Sequence, residues 1–488
     1  MPPSNSPKIL PMSLLLPFFL FPLIILHAPP ATAAATIAAI GVHGYGGEKQ
    51  VLTLNKFKWT PHQTNTPNCF PQRSRTEKSA TILELHHRDS CFGPRSDWNQ
   101  RFLKHLLSDQ IRVRSIQSRI KTALSKGADQ ELSQAQIPIT SGTPDPQLCC
   151  DRQLGGRNVT LIVDTGSDIT WVQCQPCGSC YNQQEPLFNP SQSPTYKSVV
   201  CKSTTCENLE FATGKSGVCG VNSTNCNYSV SYGDGSYTEG DLASDNLVIG
   251  TVPIEGFVFG CGRDNSGLFG GASSAFDGFS NYRCFWRDFL VLFTFGDGFG
   301  IGFANSRERN FRLQEFHPVS YTNLLSNPMM PTFYFLNLTG ISIGGVSLQD
   351  PSFGKREMLI DSGTVITRLP PSIYKVVKSE FLNQFSGFPK APGPFPSWIP
   401  ALIYLATKKV EIPTVKLHMA NDVKFTVDVT GILYFAKIDA SQVCLALAGL
   451  SDEEEIGIIG NYQQKNTRVV YNTKEFTLGF AKETCTSD

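Results

Sequence analysis

Two stretches of this chain carry the same design about two hundred residues apart: residues 161–174 read LIVDTGSDITWVQC and residues 359–369 read LIDSGTVITRL. In each, an apolar run of strand type ends in Asp, a small hydroxyl residue and Gly, after which apolar residues resume. Each copy places a carboxylate, Asp164 or Asp361, at the end of a strand. Thr165 or Ser362 can hydrogen-bond beside it, and Gly166 or Gly363 permits a tight turn with free backbone N–H groups. Packing of two similar lobes about a pseudo-twofold axis brings the turns together and gives the carboxylates one site. Two adjacent carboxylates do not both ionise readily, so the pair holds one proton and offers an acid and a base at once. That is the equipment for general acid–base hydrolysis without a metal or a covalent intermediate. A single Asp-Thr-Gly is ordinary turn chemistry. Two copies, each followed by a hydroxyl residue (Ser167, Thr364), point to catalysis.

The rest of the chain is consistent with a β-rich fold in an oxidising compartment. From Leu154 onward, short β-branched and aromatic runs alternate with Gly, Asn, Asp and Pro, which are strand and turn signals. The clearest helix there is PSIYKVVKSEFLNQF, with Pro371 in the first turn and Ile373, Val376, Val377 and Phe381 on one face. Of fifteen cysteines, eight fall between 174 and 261. These are Cys174, Cys177, Cys180, Cys201, Cys206, Cys219, Cys226 and Cys261, candidates for disulfides of unassigned pairing. CQPCGSC also has zinc-like C-x-x-C steps, but no second ligand pair follows at the right spacing. No metal or other cofactor is expected. Sequons occur at Asn158, Asn222, Asn227 and Asn337.

The N-terminal part is organised differently. ILPMSLLLPFFLFPLIILHA followed by PPATAAA reads as a cleavable secretion signal over residues 1–35. Its three prolines weigh against a membrane anchor, and the absence of Arg from the first seventy residues weighs against an organelle transit peptide. Thr36 to about Thr76 shows no periodicity and reads as loop. TILELHHR reads as a strand and RFLKHLLSDQIRVRSIQSRIKTAL as a basic amphipathic helix, with Leu103, Leu106, Leu107, Val113, Ile116 and Ile120 mostly on one face. Pro71–Gly127 holds twelve Lys and Arg against five Asp and Glu, while the remainder beyond Gly127 sums to about −9 within a whole-chain charge of +1. A basic segment ahead of an acidic body is expected to be a removable prosegment lying across an acidic cleft. It carries few aromatics for base stacking, which argues against nucleic acid as a partner.

Taken together, VDTGSDITWVQCQPCGSCY, YSVSYGDGSYTEGDLASD, FVFGCG, FYFLNLTGISIGG, LIDSGTVITRLP, QVCLALAG and IGIIGNYQQKN resemble the pepsin-like aspartic proteases of the plant nepenthesin-like group, over most of 154–485. LELHHRD and DQIRVRSIQSRI are similar to the prosegment of that group. The resemblance implies a mostly β, bilobal pepsin-like fold with pseudo-twofold lobes and a cleft between them. Its parts are a signal (1–35), a prosegment (36–136), an N-terminal lobe with a cysteine-rich insert (137–310) and a C-terminal lobe (311–488). It implies Asp164 and Asp361 as catalytic dyad, with the shared proton known for such dyads. Thr165, Gly166, Ser167, Ser362, Gly363 and Thr364 would hold the carboxylates coplanar. Tyr232 and Gly233 would belong to a substrate-covering flap, with Trp171 supporting the tyrosine. Ile458, Ile459 and Gly460 match an element beside the second active-site loop. The implied protein is a secreted, monomeric acid endopeptidase acting on polypeptides with large apolar side chains at the cut, destined for the apoplast before vacuole or plastid.

Three stretches depart from that pattern: 143–153, 279–312 and 391–409. TPDPQLCCDRQLGG, with two prolines, is not expected to form the central strand before Asp164. The aromatic-rich run after AFDG stands where the first lobe's hydrophobic-hydrophobic-Gly element belongs. APGPFPSWIPALIYLATKK removes the cysteine that should pair with Cys444. These losses leave a second class of function open, a catalytically silent pepsin-fold protein that binds a protein partner.

Overall fold

The computed structural model describes residues 47–53, 75–77, 80–87, 98–126, 148–183, 185–213, 217–219, 224–231, 236–249, 252–266, 275–278, 289–294, 299–305, 318–328, 330–388, 390–391, 402–404, 409–435, 442–473 and 475–482. The expected signal at 1–35, the sequon at Asn222, and Tyr232 and Gly233 of the expected flap lie outside the described residues.

The same small strand arrangement is built twice. In the first half, Arg157–Asp164 runs into the turn at Asp164, and the chain returns as Trp171–Gln173. Ala275–Gly278 lies between them, parallel to the first strand and antiparallel to the second. In the second half, Glu357–Ile360 leads into the turn at Asp361, and the chain returns as Thr367–Leu369. Gly457–Ile459 again lies parallel to the first and antiparallel to the second. The correspondence extends one strand further. Val252–Ser266 pairs in parallel with Trp171–Gln173, and Leu447–Gly449 pairs in parallel with Thr367–Leu369. The repeated sequence motif is thus the visible part of a repeated topology, and the fold is mostly β and pepsin-like.

The departing stretches fit this frame better than their sequences promise. Leu148–Leu154 does form a strand ahead of Asp164, antiparallel to Arg157–Asp164, because both prolines precede Leu148 and leave its ladder intact. Ala275–Gly278 itself occupies the place of the element that the following aromatic run was expected to displace, with Gly278 opposite Asp164. Within that run, Phe289–Thr294 and Phe299–Asn305 make a hairpin. It joins Thr467–Asn472, near the C-terminus, to Ala80–His87, and so brings the N-terminal part and the last strands of the chain into one sheet. Cys444 is buried with a free thiol, as the loss of its partner implies.

Another expectation fails at the N-terminal side. Within the supposed loop 36–76, Lys49–Thr53 is a strand antiparallel to Lys409–Pro413 of the second half. Leu52 is 1% exposed and joins the main hydrophobic core, whereas Val51 faces solvent. One buried side chain among residues 49–52 is too weak a period to be seen in the sequence.

The eight cysteines pair as Cys174–Cys261, Cys177–Cys180, Cys201–Cys219 and Cys206–Cys226. Three of the four bridges close loops of eighteen residues or more, a constraint on the unfolded chain that favours the folded insert. The strand Cys226–Ser231 alternates buried and half-buried residues, as a sheet with one covered face should. The C-terminal lobe packs Pro371–Gln384 through Ile373, Val377 and Phe381, with Pro371 at its first turn. Leu52→Ala in the full chain is expected to destabilise the C-terminal half by about 2–5 kcal/mol, the usual cost of emptying a buried leucine site. Denaturant unfolding checks this, and an unchanged midpoint would mean that the N-terminal strand does not dock.

Candidate active site

The two Asp-hydroxyl-Gly turns meet. The Thr165 N–H donates to Ser362 Oγ at 3.0 Å and the Ser362 N–H donates to Thr165 Oγ1 at 2.8 Å, so each turn caps the other across the pseudo-twofold. Within each turn the glycine N–H donates to the aspartate, Gly166 to Asp164 Oδ1 and Gly363 to Asp361 Oδ1, both at 2.9 Å. Glycine is required sterically at both places. A Cβ on Gly166 would stand 2.5 Å from Asp361 Oδ1, and one on Gly363 would stand 2.5 Å from Asp164 Oδ1. Thr364 Oγ1 donates to Asp361 Oδ2 at 2.5 Å. Its counterpart Ser167 makes no hydrogen bond of good geometry, yet its hydroxyl lies close enough to Asp164 to favour the ionised carboxylate.

The second turn is braced from behind. The Asp361 N–H donates to the Ile459 carbonyl, Asn461 Nδ2 to the Ser362 carbonyl and the Gly460 N–H to Thr367 Oγ1. Ile458 and Ile459 are fully buried against it. Trp171 is also fully buried, with its ring edge-on to Tyr181 in the cluster beneath the cysteine-rich insert.

The sequence reading put the basic N-terminal segment across an acidic cleft but did not single out the residue that dominates the site. The helix Trp98–Lys126 lies against both turns, and the Arg112 guanidinium sits between the aspartates. Its Nη1 and Nη2 donate to Asp164 Oδ2 (3.0 Å) and Oδ1 (2.6 Å), while Nε and Nη2 donate to Asp361 Oδ2 (3.0 Å) and Oδ1 (2.9 Å). All four carboxylate oxygens are therefore occupied by one cation. On one side of Arg112, Asp109 pairs with Arg368; on the other, Arg119 pairs with Asp168, and Gln117 exchanges hydrogen bonds with the backbone of Ile456. Val113, Ile116 and Ile120 pack on Met330, Phe333, Phe335, Leu359 and Ile458. Leu107, placed by its spacing on the same face, is instead 51% exposed. The buried stripe runs through 106, 109, 113, 116 and 120, and Leu107 stands a further 100° round the helix from Leu106. Asp109 and Arg112 lie on this buried face, where Ser108, Ser115 and Gln117 are buried too, so charged residues spaced with the apolar ones were the available signal.

Electrostatics follow from this arrangement. Burial raises both carboxyl groups, and the Arg112 charge opposes it. At Asp164 that charge, with the Arg112 and Gly166 hydrogen bonds, wins and holds the group below the usual carboxylate range. At Asp361 burial, reinforced by the Asp164 charge, wins and raises it. Burial would release the Arg112 proton, but the two aspartates hold it more firmly than usual. Among the described residues no group of His, Cys, Asp and Glu is placed to hold a metal, and no helix is long and apolar enough to cross a membrane.

Comparison with known proteins shows the family. The family described as Xylanase inhibitor N-terminal matches residues 153–283, and Xylanase inhibitor C-terminal matches 333–482. An aspartyl protease family protein of Arabidopsis thaliana is 33% identical, covering 89% of this chain and 93% of its own. Aspartic proteinase nepenthesin-1 of Nepenthes gracilis is 31% identical over 67% of this chain and 75% of its own. Among solved structures, soybean basic 7S globulin shares the fold at a TM-score of 0.52 and 18% identity, over 70% of this chain and 94% of that one. The chain belongs to the plant pepsin-like aspartic protease family.

Gly166→Ala and Gly363→Ala are each expected to cost about 1–3 kcal/mol, as overpacked sites do. Unfolding of the full chain measures this; wild-type stability would mean that the turns stand further apart than described.

Proposed function

We propose that this protein is an aspartic endopeptidase made as an inactive precursor, with its own helix Trp98–Lys126 closing the active site. The observation that supports this most directly is the Arg112 guanidinium bonded to all four oxygens of Asp164 and Asp361. Catalysis needs one proton shared by the pair and a water between them. The cation stands where the water belongs, so the docked helix excludes the nucleophile and engages both carboxyl groups.

With the helix withdrawn, the dyad takes up its proton. The ionised member accepts a proton from water as the water oxygen attacks the peptide carbonyl carbon. The protonated member gives its proton to the carbonyl oxygen. Collapse of the tetrahedral adduct breaks the C–N bond: the leaving nitrogen takes the proton held by the dyad, and one hydroxyl of the adduct returns a proton to the other carboxylate, restoring the starting state. The protons belong to the pair as a unit. The mutual caps between Thr165 and Ser362, and the glycine N–H bonds, keep the carboxylates placed through both steps.

The pH sense follows from linkage. The Arg112 charge pulls both carboxyl groups down, although burial still leaves Asp361 raised, so a dyad that loses this cation loses a contribution favouring ionisation, and docking opposes proton uptake by the pair. Docking is strongest at neutral pH and weakens as pH falls through the range in which the uncovered pair is protonated. The precursor is thus set for an acidic, oxidising destination reached by secretion, in keeping with its disulfides and the exposed sequon at Asn158. The intact turns and their reciprocal bonds favour proteolysis over a silent binding role.

The deciding experiment is acidification of the purified full chain with denatured globin, with and without pepstatin. Pepstatin-sensitive cleavage that disappears in Asp164→Asn is the expected result; soluble, folded protein without cleavage would favour the binding role. Arg112→Gln breaks one side of a buried ion network at about 3–5 kcal/mol, so docking should weaken on the order of a hundredfold or more. The onset of activity then moves toward neutral pH. An unchanged onset would remove Arg112 from the switch.

A further inference from the structure

Among the described strands, Lys409–Pro413 of the C-terminal half pairs with Lys49–Thr53 and with no other. The ladder runs the whole length of both, from Lys49 opposite Pro413 to Thr53 opposite Lys409. On the inner face Leu52 stands opposite Val410 and Gln50 opposite Ile412, and Leu52, Val410 and Ile412 are all buried in the main core. Gln50 is a polar residue turned inward, and its amide is engaged at both atoms. Nε2 donates to the Val427 carbonyl at 2.9 Å, and Oε1 accepts from the Val429 N–H at 3.1 Å. Glu48 extends the pairing, its N–H donating to the Gly344 carbonyl and its carbonyl accepting from the Thr414 N–H.

Loss of these residues would cost the C-terminal lobe a strand partner. Lys409–Pro413 would give up its whole ladder, Val410 and Ile412 would face the slot vacated by Leu52, and the Val429 N–H, in the first turn of Val429–Ile432, would lose its acceptor. The helix Trp98–Lys126 is attached differently. It covers two turns that hold each other through Thr165 and Ser362, and those bonds are complete without it. Nor do the two attachments share a trigger. Arg112 is bound to the dyad, whereas the charged groups around the strand are Glu48 with Lys416, Lys49 with Glu411, Lys409 opposite Thr53, and Asp428, which caps Val429–Ile432 through Thr430. Ion pairs open to water contribute little. The strand is held by its ladder, the Gln50 amide and Leu52, none of which titrates.

We propose that residues 47–53 are a permanent strand of the C-terminal lobe: they stay bound when the helix withdraws from the dyad, and after any cut between Thr53 and the helix they remain as a separate, noncovalently held chain. The removable part of the precursor then begins beyond Thr53. Lys409–Pro413, the Leu52 slot and the backbone at 427–429 together form a strand-binding surface whose occupant is this chain's own N-terminal segment. The inference concerns that surface and holds whether the dyad is active or silent.

The test uses the full chain with a site-specific protease sequence inserted between Gln63 and Thr64. After the cut, confirmed on a denaturing gel, gel filtration follows the N-terminal fragment at neutral pH and again in acid with pepstatin, which occupies the dyad and prevents self-digestion. The fragment should travel with the body under both conditions and separate only in denaturant. In Leu52→Ala it should dissociate about thirtyfold faster or more, because a buried leucine's contacts are gone. A fragment that stays at neutral pH and leaves in acid would place the strand with the removable segment; one that leaves under both conditions would show that no strand site exists. Either result overturns the proposal, and the wild-type elution decides it even if the Leu52 variant does not fold. Globin cleavage by the same preparation reports on the protease reading separately, and its absence would overturn that reading alone.

Discussion

Two backbone N–H groups, one from Thr165 and one from Ser362, each donate to the hydroxyl of the other residue across the pseudo-twofold, and the site is built outward from that exchange. The bonds are short, buried and reciprocal, so neither turn can shift without leaving a donor unsatisfied in the interior. They draw the glycines so close to the opposite aspartates that no side chain fits at either position. Everything else about the dyad depends on this closeness: the sharing of one cation by two carboxylates, the opposite displacement of their proton affinities, and the chemistry open to them once uncovered. Behind the turns, Gly457–Ile459 and Asn461 brace one side, and Ala275–Gly278 runs beside the other, so each lobe holds its own half of the exchange.

The outline of this site was legible in the sequence because it is written locally. An apolar run ending in Asp, hydroxyl residue and Gly specifies strand, carboxylate and turn within a few residues, and its repetition specifies the pairing. What stayed hidden depends on contacts far apart in the chain. Arg112 lies 52 residues from Asp164 and 249 from Asp361, and no local pattern records that meeting. Amphipathic periodicity gave the helix but put Leu107 on its buried face, because a count of apolar residues overlooks Asp109 and Arg112 on the stripe. Likewise the number of cysteines pointed to bridges, while their pairing follows from the topology that brings Cys174 to Cys261.

The departing stretches show where local rules and tertiary context part company. Prolines at 144 and 146 count against a strand only if they lie within it, and pairing begins at Leu148. The run after Gly278 was foreign to the pattern by sequence, yet Phe289–Thr294 and Phe299–Asn305 enter the sheet because strand pairing asks mainly for extended backbone and a partner edge. The strand Lys49–Thr53 makes the same point from the other side. Its sequence has little β pattern, and its place is set by the open edge of Lys409–Pro413 and by one core position for Leu52.

The helix combines two kinds of contact that respond differently to solution conditions. Val113, Ile116 and Ile120 bury apolar surface, a driving force that does not depend on pH. Arg112 and Asp109 bring charges out of water, and the cost of doing so is offset only while their partners are ionised and well placed. A purely apolar face would hold the helix equally well at every pH. A purely ionic one would be weakened by competing salt and water. With both, the apolar stripe sets the helix in register, and under the proposed switch the buried charges would make that register depend on the ionisation of Asp164 and Asp361. The same reasoning explains why the charges sit at the centre of the stripe: flanking apolar contacts exclude the water that would otherwise screen them.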